Sequence, residues 1–113
     1  MKFILDKNKL NIIRMRSGRL CLELATGVCR ERFRVLAEDI LTLISGDVVS
    51  KNESVDIEVW EIKIGNEELW IVYEEGFGVI TLESQSEGGD KVIANIKEVG
   101  FNFELIGFQP GNN

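Results

Sequence analysis

Alternation with a period of two fills most of this chain and gives way to helical spacing in two places. Leu20, Leu22 and Leu24 alternate with Arg19, Cys21 and Glu23, which predicts a half-buried strand. Ahead of it, Lys2–Asp6 predicts a short strand. Leu10 and Ile12 in one phase, with Ile13 and Met15 in the other, predict a second strand covered on both sides. Ser17-Gly18 supplies the turn, so the first 25 residues read as a three-stranded meander. A second antiparallel set begins at Val55 after a polar connection over residues 47–54. Val55, Ile57 and Val59 alternate with Asp56 and Glu58. The apolar phase then slips at Val59-Trp60 and resumes through Ile62 and Ile64, which predicts either a β-bulge or an exposed Trp60. Gly65-Asn66 marks a hairpin. In the next strand Leu69, Ile71 and Tyr73 oppose Trp70 and Val72, and Glu75-Gly76 turns into a last strand over residues 77–83.

Helical spacing appears first at Cys29, Phe33, Leu36, Ala37, Ile40 and Ile44, one stripe at three- and four-residue intervals. Thr26 is the expected cap, Ser45-Gly46 the expected stop, and Arg34 with Glu38 an expected i,i+4 pair. Val92, Ile93 and Ile96 give a shorter second helix with Gly100 as its C-cap and Phe101 as the apolar clasp beyond it. Phe103 and Leu105 then read as an extended tail. The fold class that follows is α+β. It has a mostly antiparallel sheet with two helices packed against it, in the order βββ-α-βββ-α with an optional C-terminal strand. Residues 1–109 form a single domain and 110–113 a flexible tail, since 113 residues suffice for one core and not for two.

Charge changes this picture more than composition does. Apolar residues make up 44% and charged residues 28%, which is ordinary for a globular domain. The net charge of −6 is unevenly spread: residues 1–37 carry +6, whereas residues 53–90 carry eleven carboxylates and one base, Lys63. Such a field attracts cations and basic surfaces and repels nucleic-acid phosphate. DNA is therefore excluded as a partner. RNA binding by Lys2, Lys7, Lys9, Arg14, Arg16, Arg19, Arg30, Arg32 and Arg34 remains a lesser alternative. The N-terminus has no secretory pattern and no stretch is apolar enough to span a membrane, so a cytoplasmic protein is expected.

The chemical inventory is mostly a set of exclusions. The chain has no histidine, which removes serine-hydrolase triads, histidine ribonucleases and most zinc hydrolases. It has no phosphate loop and no dinucleotide fingerprint. Gly76-Phe77-Gly78 reads as a structural turn and Gly88-Gly89 as a flexible helix entry more than an anion site. Asp56 and Glu58 with Glu74 from a neighbouring strand are the best candidate cation cluster, which keeps a metal-dependent carboxylate enzyme as a lesser alternative, but they fit no EF-hand. Cys21 and Cys29 fit neither a disulfide scaffold nor a zinc spacing, and both read as reduced core residues. No catalytic residue, metal ligand or cofactor is assigned.

What remains is an interface. Trp60 and Trp70 supply apolar anchors, and Glu58, Glu61, Glu67, Glu68, Glu74 and Glu75 supply a negative rim, an arrangement suited to a basic protein partner. In size, acidity, lack of histidine and α+β pattern the chain resembles small bacterial immunity proteins. That resemblance implies a partner that is a cationic nuclease toxin, held off its substrate by a stoichiometric inhibitor. It is equally similar to small bacterial α+β families without an assigned role. A homodimer through an unpaired strand edge, supplied or covered by the tail around Phe103 and Leu105, is a further alternative.

Overall fold

The computed structural model describes residues 10–108, with side chains as far as Glu98. Two strands, β1 (Asn11–Arg14) and β2 (Leu20–Ala25), are followed by helix α1 (Arg30–Ile44). Four strands come next, β3 (Asp47–Glu53), β4 (Ile57–Ile64), β5 (Glu67–Glu74) and β6 (Val79–Ser84), and then helix α2 (Glu87–Phe108). The strands form one antiparallel sheet in the order β1-β2-β6-β5-β4-β3, with both helices on the same side. The four-stranded meander thus closes against the N-terminal hairpin, and α1 carries the chain from β2 to the far edge. This is the expected α+β architecture.

One apolar cluster holds the two layers together. Phe33, Leu36, Ala37 and Ile40 of α1 and Ile93 and Ile96 of α2 meet Leu22, Trp60, Ile62, Leu69, Ile71, Tyr73, Ile80 and Leu82 of the sheet. Phe33 is central, stacked on Tyr73 at 4.9 Å and edge-on to Trp60 at 5.6 Å. Such aromatic contacts add about 0.5–1.5 kcal/mol each beyond the area they bury. The β4–β5 hairpin turns on Gly65 at φ +63°, as a two-residue turn of this hand requires.

Several local readings change. The strand expected over Lys2–Asp6 and the tail at 110–113 lie outside the described residues. The connection over 47–54 is an edge strand, β3, and the bulge falls there, between Val48 and Ser50. β4 itself pairs without interruption through Trp60. What looked like a slip is a strand that is apolar on both sides: Ile57 and Val59 face one way, and Trp60, Ile62 and Ile64 the other, in the phase of Glu58. α1 begins at Arg30, and its N-cap is Cys29, which is exposed rather than core. Ser45, not Gly46, takes the left-handed turn at its end, with φ 56°. α2 runs through Gly100, so Phe103 and Leu105 lie on a helix and not on an extended tail.

Geometry limits what two helices can cover. Six strands span about 24 Å between outer axes, against roughly 20 Å for two helices side by side. α2 crosses β1, β2, β6 and β5, and α1 lies beside it, reaching the sheet chiefly at β5. The β3 edge is therefore tied to α1 by polar side chains rather than by apolar packing.

Candidate functional site

The pairing registers assign every strand side chain to one of two faces, because directly opposed residues of an antiparallel pair project to the same side. On the helix-covered face Glu58 is opposite Tyr73 and Glu53 is opposite Glu58. Glu58 is only 3% exposed and Trp60 2%. Arg34 reaches down from α1 and donates to Glu58 at 3.0 Å and to Glu53 at 2.6 Å, while the Trp60 indole N–H donates to Glu58 at 2.9 Å. Burial alone would raise the Glu58 carboxyl, but the hydrogen bonds from Arg34 and Trp60 and the nearby positive charge outweigh it and hold it below its usual range. Lys51 pairs with Glu38 at 3.5 Å and places its ammonium 4.0 Å from the Trp60 ring centroid. These groups line a cleft of about 540 Å³ between α1 and the β3–β4 strands.

The same covered side consumes other candidates. Arg30 donates to the carbonyls of Ser54 and Val55 and to Glu75 at 3.0 Å, clasping the β3–β4 and β5–β6 turns together. Glu67 accepts from the Ser86 hydroxyl at 3.1 Å, and Ser86 in turn caps α2 by accepting the Gly89 N–H at 3.0 Å. A Cβ at Gly88 would sit on the Glu67 carboxylate. The Gly88-Gly89 helix entry is therefore packed against the chain's own Glu67. Gly78 is likewise structural, with φ +61° and its α-carbon against the Val28 backbone. Asp90, in the first turn of α2, accepts the Leu20 N–H at 3.0 Å. That bond, with the Ser84 hydroxyl and Arg19, keeps its carboxyl low.

The open face is different. Across the sheet one row reads Ile13, Cys21, Glu83, Trp70, Glu61 and Ser50, and the next Asn11, Glu23, Thr81, Val72, Val59 and Asn52. Val79, Glu74 and Ile57 form a shorter row at one end, and Glu68, Lys63 and Asp47 one at the other. Among the described residues no element packs on this face, and none of its glutamates, Glu23, Glu61, Glu68, Glu74 and Glu83, enters an ion pair. Lys63 is the one base at these positions. Burial pushes the Glu83 carboxyl up, partly offset by a hydrogen bond from Thr81 and reinforced by Glu74. Burial, with Glu83 and Glu23 adding to it, pushes the Cys21 thiol up as well, which disfavours its thiolate.

The eight residues expected to bind a partner are thus divided. Glu61, Glu68, Trp70 and Glu74 share the open face. Glu58 and Trp60 are buried beneath α1 and cannot serve as rim and anchor, Glu67 accepts from the Ser86 hydroxyl at the start of α2, and Glu75 belongs to the Arg30 clasp. The cation cluster also dissolves, because Glu58 and Glu74 project to opposite faces, and no group of metal-ligating side chains is found among the described residues. Glu23 and Glu83 carry no local sign of this face, since only the β5–β6 pairing brings Glu83 beside Trp70 and only the β2–β6 pairing sets Glu23 beside Thr81 on the same side. No helix among the described residues is long and apolar enough to cross a membrane.

Residues 10–98 match a family model described as protein of unknown function (DUF3630). No curated protein and no solved structure matches the chain.

Proposed function

The chain belongs to the DUF3630 family, and for this member we propose non-enzymatic recognition of a basic protein partner through the open face of the sheet. One observation supports the reading above others. Arg30 and Arg34 of α1 answer carboxylates of the covered side, whereas the five glutamates that share the open side with a half-buried Trp70 have, among the described residues, a single lysine on that face. An apolar centre with a negative border suits a cationic surface, steering it at low salt and anchoring it after contact. A cationic nuclease toxin is one partner of this description, and an immunity protein would act by covering its phosphate-binding surface. RNA binding has less support, because Arg19, Arg30 and Arg34 are engaged with Asp90, Glu75, Glu53 and Glu58.

The test is affinity capture at low and high salt, followed by titration of the purified chain with the purified basic protein it retains. A one-to-one complex weakened by salt is expected, and Glu61→Lys with Glu74→Lys should lower affinity by about tenfold or more while the circular dichroism spectrum stays unchanged. Affinity indifferent to that double reversal, or retention of no basic protein, overturns the reading.

A further inference from the structure

The molecule contains one side-chain unit twice. Trp60 and Trp70 each donate their indole N–H to the carboxylate two residues earlier on the same strand, Glu58 at 2.9 Å and Glu68 at 3.3 Å. The spacing of two puts ring and carboxylate on one face in both cases. Around Trp60 the unit holds cations: Lys51, directly opposite in register, lies over the ring, and Arg34 bonds the carboxylate. The protein therefore shows within itself what this pairing accepts.

Around Trp70 the register partners are carboxylates instead, Glu61 on β4 and Glu83 on β6, with Lys63 opposite Glu68 on the diagonal. The indole is oriented by its bond to Glu68, and acceptors flank it on both sides. Resting on the reading of this face as the partner surface, we propose that Trp70, Glu61, Glu68 and Glu83 receive one arginine side chain of the basic protein. Its guanidinium stacks on the indole and donates to the flanking carboxylates. A planar guanidinium can lie flat on the ring while its edge donors reach both flanking carboxylates, whereas an ammonium, although it has three donors, has no flat face to stack. The half-buried Glu83, whose carboxyl burial pushes up, gains most from a cation brought against it.

The full chain would be titrated with a hexa-arginine peptide at low salt. Binding would be followed by calorimetry and by the two indole N–H resonances, assigned with Trp70→Phe. The Trp70 resonance should move and that of Trp60 stay. Trp70→Leu, checked for folding by circular dichroism, should weaken binding about tenfold, and hexalysine should bind several-fold more weakly than hexa-arginine. If hexa-arginine binds and Glu61→Lys with Glu74→Lys abolishes binding, yet Trp70→Leu stays within about twofold or hexalysine equals hexa-arginine, the arginine site is wrong and the face reading survives. Failure of hexa-arginine to bind, or binding indifferent to every open-face substitution, removes both.

Discussion

The two tryptophans stand on opposite faces of one sheet, and the contrast between them organises the molecule. Trp60 lies under Phe33, its indole bonded to a buried glutamate that α1 neutralises with Arg34. Trp70 lies beside Glu61, Glu68 and Glu83, which enter no ion pair among the described residues. The covered face spends its charges on holding the β3–β4 strands to a helix layer too narrow for the sheet. The open face keeps its charges available. Acidity in the sequence thus has two meanings, internal ties on one side and an outward field on the other, and the proposed recognition rests on the second alone.

The contrast can be broken most directly by truncating each ring. Trp60→Ala should cost about 3–5 kcal/mol of stability, whereas Trp70→Ala should cost no more than about 1.5 kcal/mol, measured by urea unfolding. Equal losses would mean that the open face is as much core as the covered one.

A smaller effect separates the carboxylates. Glu58→Gln should destabilise by about 1–3 kcal/mol because a neutral amide is a poorer acceptor for Arg34 and Trp60. Glu83→Gln should cost nothing at neutral pH, since it removes a charge that burial disfavours. The pH dependence follows in sign. Glu58 and Asp90 have depressed carboxyls, so their contribution is present above the ordinary carboxylate range and is lost as pH falls through their folded values. Glu83 acts oppositely, its raised carboxyl favouring the folded state as it protonates on acidification. Glu58→Gln should flatten the acid limb of the stability curve. An unchanged limb would shift the acid sensitivity to Asp90.

The smallest effect tests the polar seam at the start of α2. Ser86→Ala should cost about 1 kcal/mol, by thermal melting, through loss of the cap to Gly89 and of the bond to Glu67. It should leave the binding of a basic protein untouched, because Ser86 lies on the covered side. A change in affinity would show that the two faces communicate.

How far the chain could be read from its letters varies from residue to residue. The stripe from Phe33 to Ile44 was plain because helical spacing is a local property, and only Cys29, promoted into the stripe by its spacing, fell outside it as an exposed cap. The phases of Leu20 and Leu22 and of Leu69, Ile71 and Tyr73 were equally plain. Glu58 defeated the pattern. A buried carboxylate reads as solvent-facing, and it made the regular β4 strand seem to slip. β3 was missed because an exposed edge strand has no apolar phase to display.

Sequence by itself determined the α+β class, the period of most elements, the lack of histidine chemistry and the imbalance of charge, since each depends on composition or on residues a few places apart. Tertiary structure alone decided which tryptophan faces outward, which glutamates arginines neutralise, and that Glu83 and Glu23 join Trp70's face. Those are questions of register and of helix placement. A shift of one residue in pairing carries a side chain from one face to the other, and no neighbour along the chain records which pairing the packed core selects.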